Sequence, residues 1–325
     1  MATNIKTDFV SELREEAGLL LQTHFSPAGR YGTAFHLTSP FADLRALSLA
    51  DFGVRASSLS PDFSLLSDFE RGQILALLDG SDPYLLWYLA HLDSLPVQVL
   101  VVPSGQTMDV ELSGYLVSFI FLRAGARLNL VQNVLEEGLG ISRLFVWQGE
   151  GSSLSSWGLR AGNNFLSERV EVFLQGLGAA TSVRHLTVGM EKQQADMAVR
   201  VYHQAPQTTS DLVVRTAAGG KHVAVYRGLI DIDERGKGSK GYQSGRALLL
   251  NRGAVVDMLP ELAIKTNDVQ CSHGVTTTHI DEAALFYMRS RGLPVVQARR
   301  LAMTGFFHDM LEIPQSLAAQ LEQQL

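Results

Sequence analysis

The chain has 325 residues, 46% hydrophobic and 18% charged, a composition that supports a buried core and excludes a chain disordered throughout. Its net charge of −6 lacks the overall basic balance by which a nucleic-acid binder neutralises phosphates. A single cysteine excludes an internal disulfide framework and a four-thiolate metal site built by one chain.

The segment from Met1 to Phe25 carries scattered charges and lacks the compact apolar stretch of a secretory leader. No uninterrupted apolar run approaches the length of a membrane-spanning helix. A soluble, cytoplasmic protein is therefore expected. Residues 8–22 place Phe9, Val10, Leu13, Ala17, Leu20 and Leu21 at helical spacing. Residues 38–66, rich in Ser, Pro and Asp, read as loop with short turns. A helix is expected over 68–79 with Asp68 as N-cap, and another over 82–93 with Pro83 behind Asp82.

From Pro96 onward the pattern changes. Segments such as VQVLVV, MDVELS, ARLNLVQ, RVEVFLQ, MAVRVYHQ and HVAVYRGLI are short, many alternate apolar with polar, and Gly, Ala, Asn and Ser separate them. Residues 131–138 are a weakly helical interruption. Turns at 123–127, 150–154, 176–180 and 217–221 recur at irregular intervals, many of them about 25 residues after the last, a length suited to one coil of a β-helix. The pattern leaves a solenoid and an antiparallel sandwich or barrel both open. The basic run GKGSKG at 236–241 departs from the order of a phosphate loop and reads as a turn between strands.

The end of the chain returns to helix. Asp281 caps a helix over DEAALFYMRSRG, and Gly292 suits the left-handed position that ends it. Pro294 opens a second helix to about Leu311, with Val296, Leu301, Ala302, Phe306 and Met310 on one buried face. A short amphipathic tail follows.

The stretch from Ala205 to Leu311 carries a specific order of features. Tyr-Gln at 242–243 precedes a Leu triplet at 248–250 and Pro-Glu-Leu at 260–262. Then come DVQCSHG at 268–274 and DEAALFY at 281–287. This order resembles the SufB/SufD family of iron–sulfur cluster assembly proteins, and its CSHGV form resembles the SufD branch more than the SufB branch. The resemblance implies a mainly β protein: a right-handed parallel β-helix core over 96–278, an N-terminal helical region over 1–95 and a C-terminal helical subdomain over 279–325. It further implies a scaffold of the SufBCD complex that docks a SufC-like ATPase through the C-terminal helices and pairs with SufB through the β-helix. His273 would stand at that pairing interface, and Cys271 also matches a SufD position.

Cys271 and His273 are two apart in a strand end, so both share a face about 6.5–7 Å apart. That spacing suits two ligands presented to a partner better than chelation of one metal. Thiolate and neutral imidazole are sound iron or zinc ligands, although a lone Cys is more often simply buried. His279 reads as a cap or turn residue rather than a third ligand. Phe286, Tyr287, Arg289 and Arg291 form the candidate partner-binding surface, with packing by Phe286 and solvated arginines as the plainer reading. No catalytic residue and no tightly bound cofactor are expected; a transient iron–sulfur cluster is allowed. Partners would be a SufC-like ATPase and a SufB-like subunit, with no nucleic acid and no membrane. Two alternatives remain: a self-pairing homodimer, and a β-helix enzyme acting on carbohydrate, which the sequence disfavours for want of a carboxylate cluster.

Overall fold

The computed structural model describes residues 2–24, 62–80, 82, 85, 89–90, 97–113, 117–135, 138–162, 165–308, 310 and 313–325. Most of the expected loop over 38–66 and most of the helix over 82–93 lie outside these residues. Helix α1 covers Ala2–His24 and α2 covers Asp68–Leu75, continued by a 3-10 turn at Ala76–Gly80.

Among the described residues fourteen strands follow. They are β1 (Val97–Val102), β2 (Thr107–Ser113), β3 (Val117–Leu122), β4 (Arg127–Val134), β5 (Leu139–Gln148), β6 (Ser153–Ala161) and β7 (Phe165–Leu174). They continue as β8 (Ala180–Gly189), β9 (Gln194–His203), β10 (Thr209–Ala218), β11 (Val223–Ile232), β12 (Ser239–Leu249), β13 (Val255–Ile264) and β14 (Val269–His279). Helices α3 (Glu282–Ser290), α4 (Val295–His308) and α5 (Gln315–Gln324) close the chain.

All odd strands form one seven-stranded sheet in order β1 to β13, and all even strands form a second in order β14 to β2. The pairings are parallel, from Val97↔Val117 to Ser239↔Val269. A chain that alternates between two parallel sheets in this way is a β-helix, which resolves the choice against sandwich and barrel. The coil lengthens along the chain: one circuit runs from Val97 to Val117 at the start and from Val223 to Val255 near the end.

The turns explain the glycine punctuation. Gly105, Gly125, Gly151, Gly178 and Gly238 adopt left-handed φ between 59° and 75°, and Gln207 takes the same conformation at 56°. These turns stack: the N–H of Gly105 donates to Ala124 O, that of Gly125 to Glu150 O and that of Gly151 to Leu177 O. Polar backbone at the corners is thereby satisfied from coil to coil.

Strand alternation builds the core. In β4 Leu128 and Leu130 face the lumen, while in β5 Leu144 and Val146 face it from the opposite sheet. The outer face of the odd sheet is covered by Phe9, Leu13 and Ala17 of α1 with Phe63, Ile74 and Leu78, against Phe119, Phe145 and Trp147. The outer face of the even sheet packs Trp157, Leu186 and Leu248 against Leu285, Ala298, Met303, Phe307 and Leu317 of the last helices. Because both faces of the middle strands are covered, their residues form near-continuous buried runs, as in β3.

Four sequence expectations shift. The cap of α2 is Ser67, not Asp68: its hydroxyl accepts from Glu70 N and the Glu70 carboxylate accepts from Ser67 N, a reciprocal capping box. Residues 131–134 belong to β4 rather than to a helix, since tertiary pairing with β2 and β6 overrides weak propensity. The turn expected over 150–154 ends at Ser152, and β6 begins at Ser153; its outer Trp157 and Leu159 pack against the terminal helices while Ser156 and Arg160 face inward. In α4 the buried face is Ala298, Met303, Phe307, with Ala302 and Phe306 beside it, so Val296 and Leu301 stand in solvent at 73% and 54% exposure. GKGSKG is a turn running into β12, and Gly292 ends α3 with φ +94°. No described helix is long and apolar enough to cross a membrane.

Candidate functional site

β13 and β14 are the last strands of their sheets, so among the described residues their outer edges are unpaired. No further coil covers them among those residues, and β14 is exposed at most positions. This open end of the β-helix holds both sequence-predicted ligands.

Val269 and Cys271 pack against the lumen cluster, with Met258 and Leu262 of β13 closing the same space. By strand alternation His273 shares their face two residues further along β14, and it is exposed. Gly241 pairs with Cys271, and its missing side chain makes room for the thiol; a Cβ there would sit 2.9 Å from Ile230 Cγ2 and 3.5 Å from Cys271 Sγ. Burial pushes the Cys271 thiol up, and a backbone hydrogen bond from Gly241 offsets part of that shift. The thiol is therefore a poor thiolate until something replaces its lost solvation, which a metal cation does.

Behind His273 stands a polar pair absent from the sequence reading. Gln243, the register partner of His273, is 4% exposed, and its Nε2 donates to Tyr226 Oη at 3.3 Å. Its Oε1 has no partner among the described residues. Burial pushes the Tyr226 hydroxyl well above its ordinary range, so it stays protonated. Gly228 creates the space for this pair, because a Cβ there would overlap both Gln243 Nε2 and Tyr226 Oη. Residue order carries no signal for this pair, because Gln243 is flanked on its face of β12 by Gly241 and Gly245 rather than by an apolar alternation.

Deeper in the lumen the same rule places an ionic group. Arg160 donates through Nε to Glu168 Oε1 at 2.9 Å and through Nη1 to Gln132 O at 2.6 Å, and its Nη2 also contacts Glu168. His185 Nδ1 lies 3.5 Å from Glu168 Oε2. Burial opposes ionisation of Glu168, but the Arg160 charge and its neighbours outweigh it and hold the carboxyl below its usual range. Burial lowers His185 to about 4, leaving it neutral.

Among the described residues no three His, Cys, Asp or Glu side chains converge as a metal site. Cys271 and His273 thus offer two donors at most, fewer than a tetrahedral metal or a cluster takes. His279 ends β14, and Asp281 rather than His279 caps α3, accepting from Ala283 N at 2.9 Å.

The other predicted surface lies on α3. Leu285 anchors that helix at 3% exposure, whereas Phe286 and Tyr287 are 73% and 59% exposed. Packing by Phe286 is therefore excluded in this chain. Arg291 lies over the Tyr287 ring at 5.3 Å, and Arg289 is exposed beside them. Val296 and Leu301 of α4 add further exposed apolar surface.

The family model described as "SUF system FeS cluster assembly, SufBD core domain" matches residues 106–306, most of the coil and the first terminal helices. The chain is similar to an iron–sulfur cluster assembly SufBD family protein of Mycobacterium tuberculosis, 30% identical over 151 residues, covering 46% of this chain and 18% of that protein. It is similar to the iron–sulfur cluster assembly protein SufD of Escherichia coli, 28% identical over 151 residues, covering 46% of this chain and 36% of that protein. A SufBD family protein of Mycobacterium bovis is 26% identical over 224 residues, covering 60% of this chain and 56% of that protein. In each case the chain spans less than two thirds of the relative's length.

Proposed function

The chain belongs to the SufBD family of the SUF system for iron–sulfur cluster assembly, and from that premise we propose that it is a SufD-like scaffold subunit of a SufBCD-type complex. The observation that carries this reading is the open end of the coil. Two sheet edges that are unpaired among the described residues flank the face that holds Cys271 and His273, so a second β-helix seated there would continue the coil and bring its own ligands to the same place. The nascent cluster is cargo held between chains, with Cys271 and His273 as this chain's share of the ligands. Neither residue performs turnover alone, and the chain is not an enzyme on this reading.

The exposed Phe286, Tyr287, Arg289 and Arg291 supply the docking face for a SufC-type ATPase. Aromatic and arginine side chains held on an anchored helix have the composition of an interface centre. ATP-driven movement of that partner would act on α3, which follows β14 after Ile280 and Asp281. The cargo site and the motor contact thus lie on consecutive elements.

Co-expression with SufB and SufC homologues tests the reading. A stable heteromer is expected, with β14 edge variants such as Thr277→Pro, whose N–H lies on the side away from β12, losing the SufB homologue and Phe286→Ala/Tyr287→Ala losing the ATPase. Iron and sulfide recovered with the complex should fall in His273→Ala. Purification of the three chains as separate species would refute it, and a homodimer without either partner would replace it by the self-pairing scaffold.

A further inference from the structure

The two strands at the open end of the coil differ as edges. In β13 the N–H of Val255 donates to His222 O at 2.9 Å, and that of Lys265, just past the strand, donates to Ile232 O at 2.9 Å. The odd residues of β13 thus turn their donors toward β11, and the even residues turn theirs to the outer edge. Pro260 is an even residue in the middle of this strand, in register with Gly228. The donor it lacks is one that would face an incoming strand, and its ring fills that place. The ladder inside the sheet loses nothing.

β14 has the opposite character. The N–H of Ile280, just past its end, donates to Leu249 O at 3.0 Å, so the even residues of β14 bond toward β12 and the odd ones face outward. Val269, Cys271, His273, Val275, Thr277 and His279 therefore hold their donors and carbonyls on the outer edge, which is unpaired among the described residues. β14 contains no proline and no Lys, Arg, Asp or Glu, whereas β13 carries Asp257 and Glu261 besides Pro260. Edges that stay clear of other chains are blunted by proline or charge; a long uncharged edge rich in Thr and Val is a template for strand addition.

We propose that a partner coil is held at this end by a backbone ladder on β14 alone, with Pro260 keeping β13 from accepting a strand. This rests on the scaffold reading and narrows it: the second coil is hydrogen-bonded to the even sheet and only abuts the odd one. Cys271 and His273 both occupy outward-bonding positions of β14, so the partner's backbone bonds the same residues whose side chains share the cargo. The ladder that joins the chains thereby also fixes the two ligands.

Residue-resolved amide hydrogen exchange of the full chain, alone and bound to a purified SufB homologue, tests the one-ladder joint. Exchange should slow about tenfold or more at Cys271, His273, Val275 and Thr277, and stay unchanged at Val256, Met258 and Leu262, the outward amides of β13. Matched prolines repeat the comparison in variants that keep the parent's circular dichroism and Tm. Thr277→Pro should weaken the complex about tenfold or more, whereas Val256→Pro, which also removes only an outward donor, should leave affinity within about twofold. Failure of the parent to form any complex sinks the scaffold reading and the one-ladder joint together. A complex that leaves the β14 amides unprotected, protects those of β13 equally, or is weakened as much by Val256→Pro as by Thr277→Pro overturns the one-ladder joint and leaves the scaffold reading standing.

Discussion

Buried histidines make the protein's stability depend on mild acid. His185, His203 and His222 are 1%, 0% and 2% exposed. Burial lowers each from 6.5 to about 4. In His203 both ring nitrogens are already engaged, with Thr208 Oγ1 at 2.7 Å and Ser210 Oγ at 2.8 Å. Between pH 4 and 6.5 the unfolded chain binds protons at these sites that the folded chain refuses. Their contribution is therefore complete above about pH 6.5 and falls as pH drops. At pH 5.5 the linkage amounts to about 1–2 kcal/mol per histidine, a few kcal/mol for the three together, a sizeable share of a typical domain's stability. The carboxyls of Glu171 and Asp196, raised mainly by burial, act in the opposite direction, so the parent's total slope is smaller than the histidine share. Urea unfolding of the parent and of His203→Gln and His222→Gln at pH 7.5 and 5.5 isolates that share. Each variant should lose about 1–2 kcal/mol of the pH difference, the linkage of one histidine. Variants that keep the parent's full pH slope would refute the reasoning.

Other outcomes follow from the same geometry. Glu168→Gln should destabilise by about 3–5 kcal/mol, measured by urea unfolding at pH 7.5, because it strands the Arg160 cation at 1% exposure in the lumen. Gly228→Ala should cost about 1–3 kcal/mol and disturb the Tyr226 environment, visible in near-ultraviolet circular dichroism, since the new Cβ overlaps Gln243 and Tyr226. Cys271 should react with iodoacetamide more slowly than a free thiol at pH 7.5 and accelerate as pH rises, because burial disfavours its thiolate; a rate matching glutathione would contradict its placement against the lumen. Phe286→Ala should leave thermal stability within about 0.5 kcal/mol of the parent, as its side chain is 73% exposed, so any loss of ATPase partner is a loss of contact.

Much of the coil could be read from residue order. Alternating strands, positive-φ glycines recurring from coil to coil and the Asp281 and Gly292 boundaries of α3 are local facts, written in neighbouring residues and realised as such. The specific run from Tyr242 to Tyr287 carried the family, which the match over 106–306 then established.

What the order of residues left undecided was which alternation faces the lumen and which face meets a helix. The turn expected over 150–154 runs into β6, whose Trp157 and Leu159 are placed only by the terminal helices, and Val296 and Leu301 look buried until α4 is rotated onto Met303 and Phe307. The pairing of Arg160 with Glu168, and of Gln243 with Tyr226, joins residues on opposite sheets of the coil. Such contacts cross the lumen between consecutive strands, and they depend on which alternate residues of each strand point inward, which residue order alone leaves open. Coil stacking leaves Cys271 and His273 at an end where the described stack stops, and only the assembled coil shows that end to be open.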